Sequence, residues 1–139
     1  MAGFDWFWKA MGGKQGRNQK RSLAIVNEAH TKQQQLTTLT DTQLKAKAHD
    51  LTKTGEITDA AGFLAILAIA AERTLGLTPF PVQSQAVLRL LEGDVIQMAT
   101  GEGKTLVGAM ASTGFGLMGK TVHAITVNDY LAARDADWM

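Results

Sequence analysis

The amino-acid sequence predicts an α/β fold in which N-terminal helices are followed by a first βαβ unit. Two observations support this prediction. The short apolar segment 94–98 leads into a glycine-rich turn at 99–103 and then into a helix predicted over 104–118. The segment 120–127 is again rich in β-forming residues, with Val122-His123-Ala124-Ile125 at its centre. Strand, turn, helix and strand in this order form a βαβ unit, which requires a parallel sheet.

Helices are predicted throughout the part of the chain that precedes this unit. Residues 20–37 read as a polar helix with few apolar anchors, and the capping-box pattern Thr40-Asp41-Thr42-Gln43 predicts a second helix that begins at Asp41. A long helix over 57–75 can be capped by Thr58 or Asp59 and ended by Gly76. Because most of its positions are apolar, we expect it to be covered on two sides.

Two shorter helices complete the prediction. Pro79 and Pro81 exclude a continuous helix over 77–82, so a helix is expected to resume at Gln83 and end at 91. Asn128 or Asp129 can cap a last helix over 130–138.

Composition indicates a folded chain whose charge is unevenly distributed. Of 139 residues, 45% are hydrophobic and 19% charged, and cysteine is absent, which excludes disulfides, thiolate metal sites and a cysteine nucleophile. Residues 1–39 carry six basic and two acidic side chains, whereas residues 40–139 carry eight and eleven. The net charge of +1 argues against a chain that coats nucleic acid. The basic head suggests an anionic partner, and a solvated tail is an equally compatible interpretation.

The N-terminal segment, residues 1–19, has the pattern of an amphipathic helix. Its apolar stripe consists of Phe4, Phe7, Trp8 and Met11, and basic side chains follow closely. Aromatic rings beside cations suit an anionic membrane interface, although the same stripe could dock on protein surface. The sequence contains no recognisable signal peptide, and its longest apolar run, residues 60–71, is shorter than the roughly 20 residues that span a bilayer. A cytoplasmic protein is therefore expected.

The turn before the predicted 104–118 helix has the composition of a phosphate-binding loop. It reads Met98-Ala99-Thr100-Gly101-Glu102-Gly103-Lys104-Thr105. Small residues let backbone N–H groups converge on phosphate oxygens, and the helix N-terminus adds its positive dipole end. Lys104 can reach the β- and γ-phosphates, and the Thr105 hydroxyl can bind Mg²⁺. The general pattern has glycine where Met98 stands, so the loop departs from the common form.

Gln83, which follows Phe80-Pro81-Val82, is a second candidate binding residue. Its amide can satisfy both a donor and an acceptor on an adenine edge. Composition alone favours a surface or capping glutamine at this position.

Taken together, these motifs resemble the SecA family of ATP-driven motors for bacterial protein export. That family carries M-x-T-G-E-G-K-T, followed by V-H-x-x-T-V-N-D-Y-L-A-x-R-D-A-x-W, and residues 98–105 and 122–138 match both motifs. Met98 is the residue that the family has. The stretch 76–83 resembles a further segment of the family. A glutamine in that segment contacts adenine, and the resemblance implies the same role for Gln83. Ala99 and Gln97 replace the usual basic and acidic residues, which suggests an accessory, second-type SecA.

The resemblance implies a RecA-like, superfamily-2 helicase-type motor that couples ATP hydrolysis to preprotein export through the SecYEG channel. The implied cofactors are ATP and Mg²⁺, and the implied nucleotide-binding residues are Gln83, Thr100, Gly101, Glu102, Gly103, Lys104 and Thr105. Lys104 and Thr105 carry the catalytic role, with Thr105 as the metal ligand. The implied partners are SecYEG, preproteins and anionic lipid at the inner face of the cell membrane, with no nucleic acid.

The resemblance also implies a domain organisation. Residues 1–19 form the amphipathic segment, 20–57 a helical arm, and 58–139 the start of the first nucleotide-binding domain, truncated before the acids that hold Mg²⁺. We therefore expect no ATP turnover from these residues alone. Two alternatives stay open: a fragment of a superfamily-2 nucleic-acid helicase, and a non-catalytic nucleotide- or membrane-docking module.

Overall fold

The described residues fold into helices joined by turns and irregular segments. The computed structural model describes the backbone of residues 3–139 and the side chains of residues 18–139. In this part of the chain six helices follow one another: α1 (Gly3–Leu36), α2 (Asp41–Thr52), α3 (Ala60–Leu75), α4 (Pro81–Leu91), α5 (Lys104–Leu117) and α6 (Asp129–Trp138). The predicted membrane-facing residues Phe4, Phe7, Trp8 and Met11 lie outside the described side chains. No helix in the described residues has the length and apolarity needed to cross a membrane.

Helix α3 forms the centre of the hydrophobic core. Every residue from Ala61 to Ile69 is buried, and Phe63 is fully enclosed. Helices α1, α2 and α4 pack against it, and α5 packs mainly on α4. A helix that is apolar on most faces requires neighbours on more than one side. The prediction that other elements cover this helix on two sides is confirmed.

Side-chain caps set the ends of several helices as the sequence predicts. The Thr40 N–H donates to Gln43 Oε1 at 2.8 Å, and the Gln43 N–H donates to Thr40 Oγ1 at 3.3 Å, which confirms the capping box. Asp59 accepts from the Gly62 N–H at 2.9 Å, and Gly76 ends α3 with φ of 68°. These caps are determined by neighbours within four residues, which explains why local sequence predicts them well.

Arg73 joins the end of α3 to the connection between α1 and α2. Its guanidinium donates to the Asp41 carboxylate at 2.6 Å and to the carbonyl oxygens of Thr37 and Leu39 at 2.8 and 2.9 Å. These bonds fix the turn that brings α2 onto α3.

The predicted α/β fold, with the first βαβ unit of a RecA-like domain, is wrong for this structure. Residues 3–139 contain no strand. Segments 94–99 and 120–126 form neither helix nor strand, and Val95 and Ile125 are 98% and 93% exposed. A strand is stabilised by hydrogen bonds and side-chain pairs with neighbouring strands more than by its own propensity. Local sequence indicated strands at these two segments, but the described residues supply no strand to pair with either of them.

Candidate functional site

The glycine-rich turn, residues 98–105, forms a tight loop at the start of α5. Gly101 and Gly103 have φ values of 87° and 72°, in the left-handed region that glycine adopts without strain. Gly103 is the N-cap residue of α5, and the Glu102 N–H turns back to the Ala99 carbonyl at 3.4 Å. The two glycines therefore let the backbone double back directly before the helix.

This geometry leaves the first amides of α5 free to bind a ligand. Within the described residues, the N–H groups of Lys104, Thr105 and Leu106 donate to no backbone carbonyl, and Gly103 provides no side-chain cap. The first amide that is bonded is that of Val107, which donates to the Gly103 carbonyl at 3.3 Å. Such amides, together with the positive end of the helix dipole, suit an anion.

Two charged side chains hold the loop at Ala99, one through its N–H and the other through its carbonyl. Lys104 Nζ donates to the Ala99 carbonyl at 2.8 Å, and Glu102 Oε2 accepts from the Ala99 N–H at 3.0 Å. Lys104 thus folds over the loop toward a neutral oxygen, which leaves its positive charge available to an anion. The role of Ala99 was missed by sequence reasoning, because it acts through backbone atoms that every residue has.

Helix α4 holds both the segment that leads into the loop and the loop itself. Near the start of the segment, Arg89 contacts the carboxylate of Asp94 and bonds Glu92 at 2.6 Å. Within the loop, Gln83 Nε2 donates to the Glu102 carbonyl at 2.9 Å. The loop is therefore attached to a helix whose own residues Ala86 to Leu88 belong to the core.

Gln83 is buried, with 6% of its surface exposed, and its amide bonds in two directions. In addition to the bond with Glu102, its Oε1 accepts from the Phe80 N–H at 2.9 Å, which caps the start of α4. Of the surface or capping glutamine favoured by composition, the cap is therefore observed, whereas a surface position is wrong. An amide has two donor hydrogens and two oxygen lone pairs, so one of each remains for a further partner. The adenine contact stays a prediction.

Two cavities flank the loop and the segment before it. A cavity of about 360 Å³ lies between α5 and residues 96–98, with Lys104, Val107 and Gly108 on its wall. A larger open groove of about 700 Å³ lies between α1, α4 and residues 94–98 and also reaches Glu102. Lys104 lines only the smaller cavity, so an anion that it binds would lie on that side.

The remaining predicted nucleotide-binding residues lie in the same loop. Thr100 is exposed in the turn, and Thr105 is half-buried in the first turn of α5. The described side chains contain no group of three histidine, cysteine, aspartate or glutamate residues that could hold a metal ion. The chain thus offers one predicted Mg²⁺ ligand, the Thr105 hydroxyl, and no complete metal centre among these residues.

Comparison with known proteins gives consistent similarities along the whole chain. Residues 7–139 match the family model described as the SecA DEAD-like domain. The chain is 70% identical over 139 residues to the protein translocase subunit SecA 2 of Corynebacterium efficiens, and 59% identical to that of Corynebacterium diphtheriae. Each match covers 100% of this chain and 18% of the relative. The protein translocase subunit SecA 3 of Mycolicibacterium vanbaalenii is 51% identical over 135 residues, 96% of this chain and 17% of that protein. The chain therefore spans less than a fifth of the length of these relatives.

Proposed function

Because the chain belongs to the SecA family of protein translocase subunits, we propose that the loop of residues 98–105 binds the phosphates of ATP. The expectation of an accessory, second-type SecA is confirmed by the relatives that carry the name SecA 2. In the proposed function, this chain is the nucleotide-binding part of a motor that couples ATP hydrolysis to preprotein export through SecYEG.

The arrangement at the start of α5 is the single observation that carries this proposal. Left-handed Gly101 and Gly103 precede a helix whose first amides have no backbone acceptor, and Lys104 lies in the first turn of that helix. Backbone N–H donors and one mobile cation are what polyphosphate recognition requires. The 360 Å³ cavity beside Lys104 provides space next to these donors.

The residues present fit a nucleotide better than they fit a free metal ion. Thr105 would hold Mg²⁺ through its hydroxyl, while phosphate oxygens and water supply the other ligands, because Mg²⁺ usually keeps several waters. A bound Mg²⁺ would supply positive charge that neutralises the phosphates. Lys104, for its part, exchanges the Ala99 carbonyl for a phosphate oxygen, and Gln83 offers its remaining donor and acceptor to the adenine edge.

The activity of the full-length motor and its partners belong to the same proposal. Relatives named protein translocase subunits support preprotein transport. The aromatic and basic N-terminal segment supports contact with anionic lipid and the channel at the cytoplasmic face of the membrane. We expect the 139 residues to bind ATP without hydrolysing it, since the acid in the loop, Glu102, is bonded to the Ala99 N–H, and the described side chains contain no group of three possible metal ligands.

Calorimetric titration with ATP and Mg²⁺ tests the binding proposal. We predict that Lys104→Ala weakens binding about 10- to 100-fold, because it removes a charge-assisted hydrogen bond to phosphate. Lys120→Ala is the matched control, since Lys120 is an exposed lysine beyond the C-terminus of α5 and has the same charge. Equal affinities for the two variants would contradict the assignment of Lys104. Turnover of ATP that depends on Lys104 would contradict the expectation of binding without hydrolysis.

A further inference from the structure

We propose that Gln83 is a positioning residue for the 98–105 loop, in addition to any contact with a base. This inference rests on the proposed phosphate site. It states that a side chain outside the loop helps to determine the conformation of the loop. The bond from Gln83 Nε2 to the Glu102 carbonyl, 2.9 Å long, is the contact through which it acts.

Gln83 is suited to hold the loop because the rest of its side chain is fixed. The residue is 6% exposed, and the Phe80 N–H at 2.9 Å determines which end of the amide carries oxygen. The nitrogen end must therefore face the Glu102 carbonyl. A buried and oriented donor loses little conformational entropy when it bonds, so this bond restrains the loop more than an exposed side chain would.

The adjoining glycine is shaped to accept this contact. A Cβ placed on Gly103 would lie 2.4 Å from Gln83 Nε2, closer than real side-chain carbons approach. The same Gly103 is the left-handed N-cap of α5. Gly103 therefore serves the backbone turn and also leaves the space through which Gln83 reaches the loop.

The consequence is a direct connection between two parts of the proposed nucleotide site. One N–H of the Gln83 amide and one lone pair of its oxygen bond to backbone groups of the protein. The second N–H and the second lone pair can bond to a base. The amide that meets the base is thus also the amide that fixes the carbonyl of Glu102, next to the phosphate-binding amides. Binding of phosphates alone should therefore depend on Gln83, although phosphates do not touch it.

Two substitutions separate this positioning role from base contact and from charge. Gln83→Glu keeps the acceptor for the Phe80 N–H but places a carboxylate oxygen against the Glu102 carbonyl. Gln83→Met is neutral and removes both bonds. Gln85→Glu, two residues further along α4, is the control for added charge. The ligand is inorganic tripolyphosphate, which has no base, in the presence of Mg²⁺, and the first readout is its affinity. The second readout is the NMR order parameter of each backbone amide in residues 99–104.

We expect Gln83→Glu and Gln83→Met to lower tripolyphosphate affinity about fivefold or more, the equivalent of one lost hydrogen bond. Order parameters in 99–104 should fall from about 0.85 towards about 0.6 in both variants, while Gln85→Glu leaves them unchanged. Wild-type affinity and order parameters in Gln83→Met would overturn the proposal. If wild-type protein binds neither tripolyphosphate nor ATP, the proposed function is contradicted for this chain. The order parameters then decide the positioning role alone.

Discussion

Gln83 and Gly103 show how single residues determine the shape of the candidate site. The glutamine supplies an oriented donor, and the glycine supplies both a left-handed backbone and the absence of a side chain. The G-K-T spacing predicts the loop, because the backbone conformation of such a turn is local. The contact between Gln83 and Glu102 joins positions nineteen apart, and nothing in the sequence pattern states which loop carbonyl faces the amide.

A double-mutant cycle tests whether these two residues act together. We predict that Gly103→Ala lowers the free energy of unfolding by about 1–3 kcal/mol, from the left-handed backbone and from the collision with Gln83. In a Gln83→Ala background the collision is absent, so the cost should fall by about 1 kcal/mol. Urea denaturation measures both values.

Gly101→Ala is the matched control for this cycle. Gly101 also has positive φ, but a Cβ there would meet no atom within 4 Å. Its cost should therefore be the same with and without Gln83. Additive effects for Gly103→Ala and Gln83→Ala would show that the predicted collision does not occur.

At the scale of elements, the sequence predicts helix ends well and strand pairing poorly. The Thr40 capping box, the Asp59 cap and the Asn128 cap are each determined by atoms within a few residues. Segment 94–98 shows the alternation expected of a strand, since Ile96 and Met98 face the core while Val95 is exposed. Pairing, however, depends on a second segment at a distance, and alternation carries no information about whether one is present.

The contact between α1 and the start of α3 makes stability depend on pH. Lys32 Nζ lies 2.7 Å from Asp59 Oδ2 and 2.9 Å from Glu28 Oε1. Burial is the largest single influence on Asp59 and acts to raise its pKa. The Gly62 N–H and Lys32 together outweigh burial and hold that pKa below the usual 3.8. Hydrogen bonds from Lys32 to Asp59 and then to Glu28 raise the pKa of Lys32 above 10.5.

We predict that Asp59→Asn lowers the free energy of unfolding at neutral pH by about 0.5–1 kcal/mol, because the pair is partly exposed and the amide still caps α3. A lowered carboxyl pKa stabilises the fold above 3.8, and the contribution disappears as pH falls through the folded pKa. The free energies of unfolding of wild type and variant should therefore converge in acid.

The raised pKa of Lys32 predicts that the wild type also loses stability above pH 10.5. A difference between wild type and variant that is constant from neutral pH to below 3.8 would contradict the ion pair.

At the scale of the whole molecule, the helical core supports the 98–105 loop, and the region of α6 is more exposed. Helices α1 to α5 share the buried residues, whereas α6 contains none. The nearly neutral total charge combines a basic first third with a more acidic remainder. The chain belongs to the SecA family and spans 18% of the length of the relative named protein translocase subunit SecA 2 from Corynebacterium efficiens.

The most direct test of nucleotide binding at the 98–105 loop is an NMR titration of the chain with ATP and Mg²⁺, read at every backbone and side-chain amide. We predict saturable shifts at the amides of residues 99–106 and at the Gln83 side-chain NH₂. The amides of α2, which lies outside the site, should not shift. Absence of shifts in 99–106 at saturating ATP, or shifts of equal size throughout the chain, would contradict the assignment of this loop as the phosphate site.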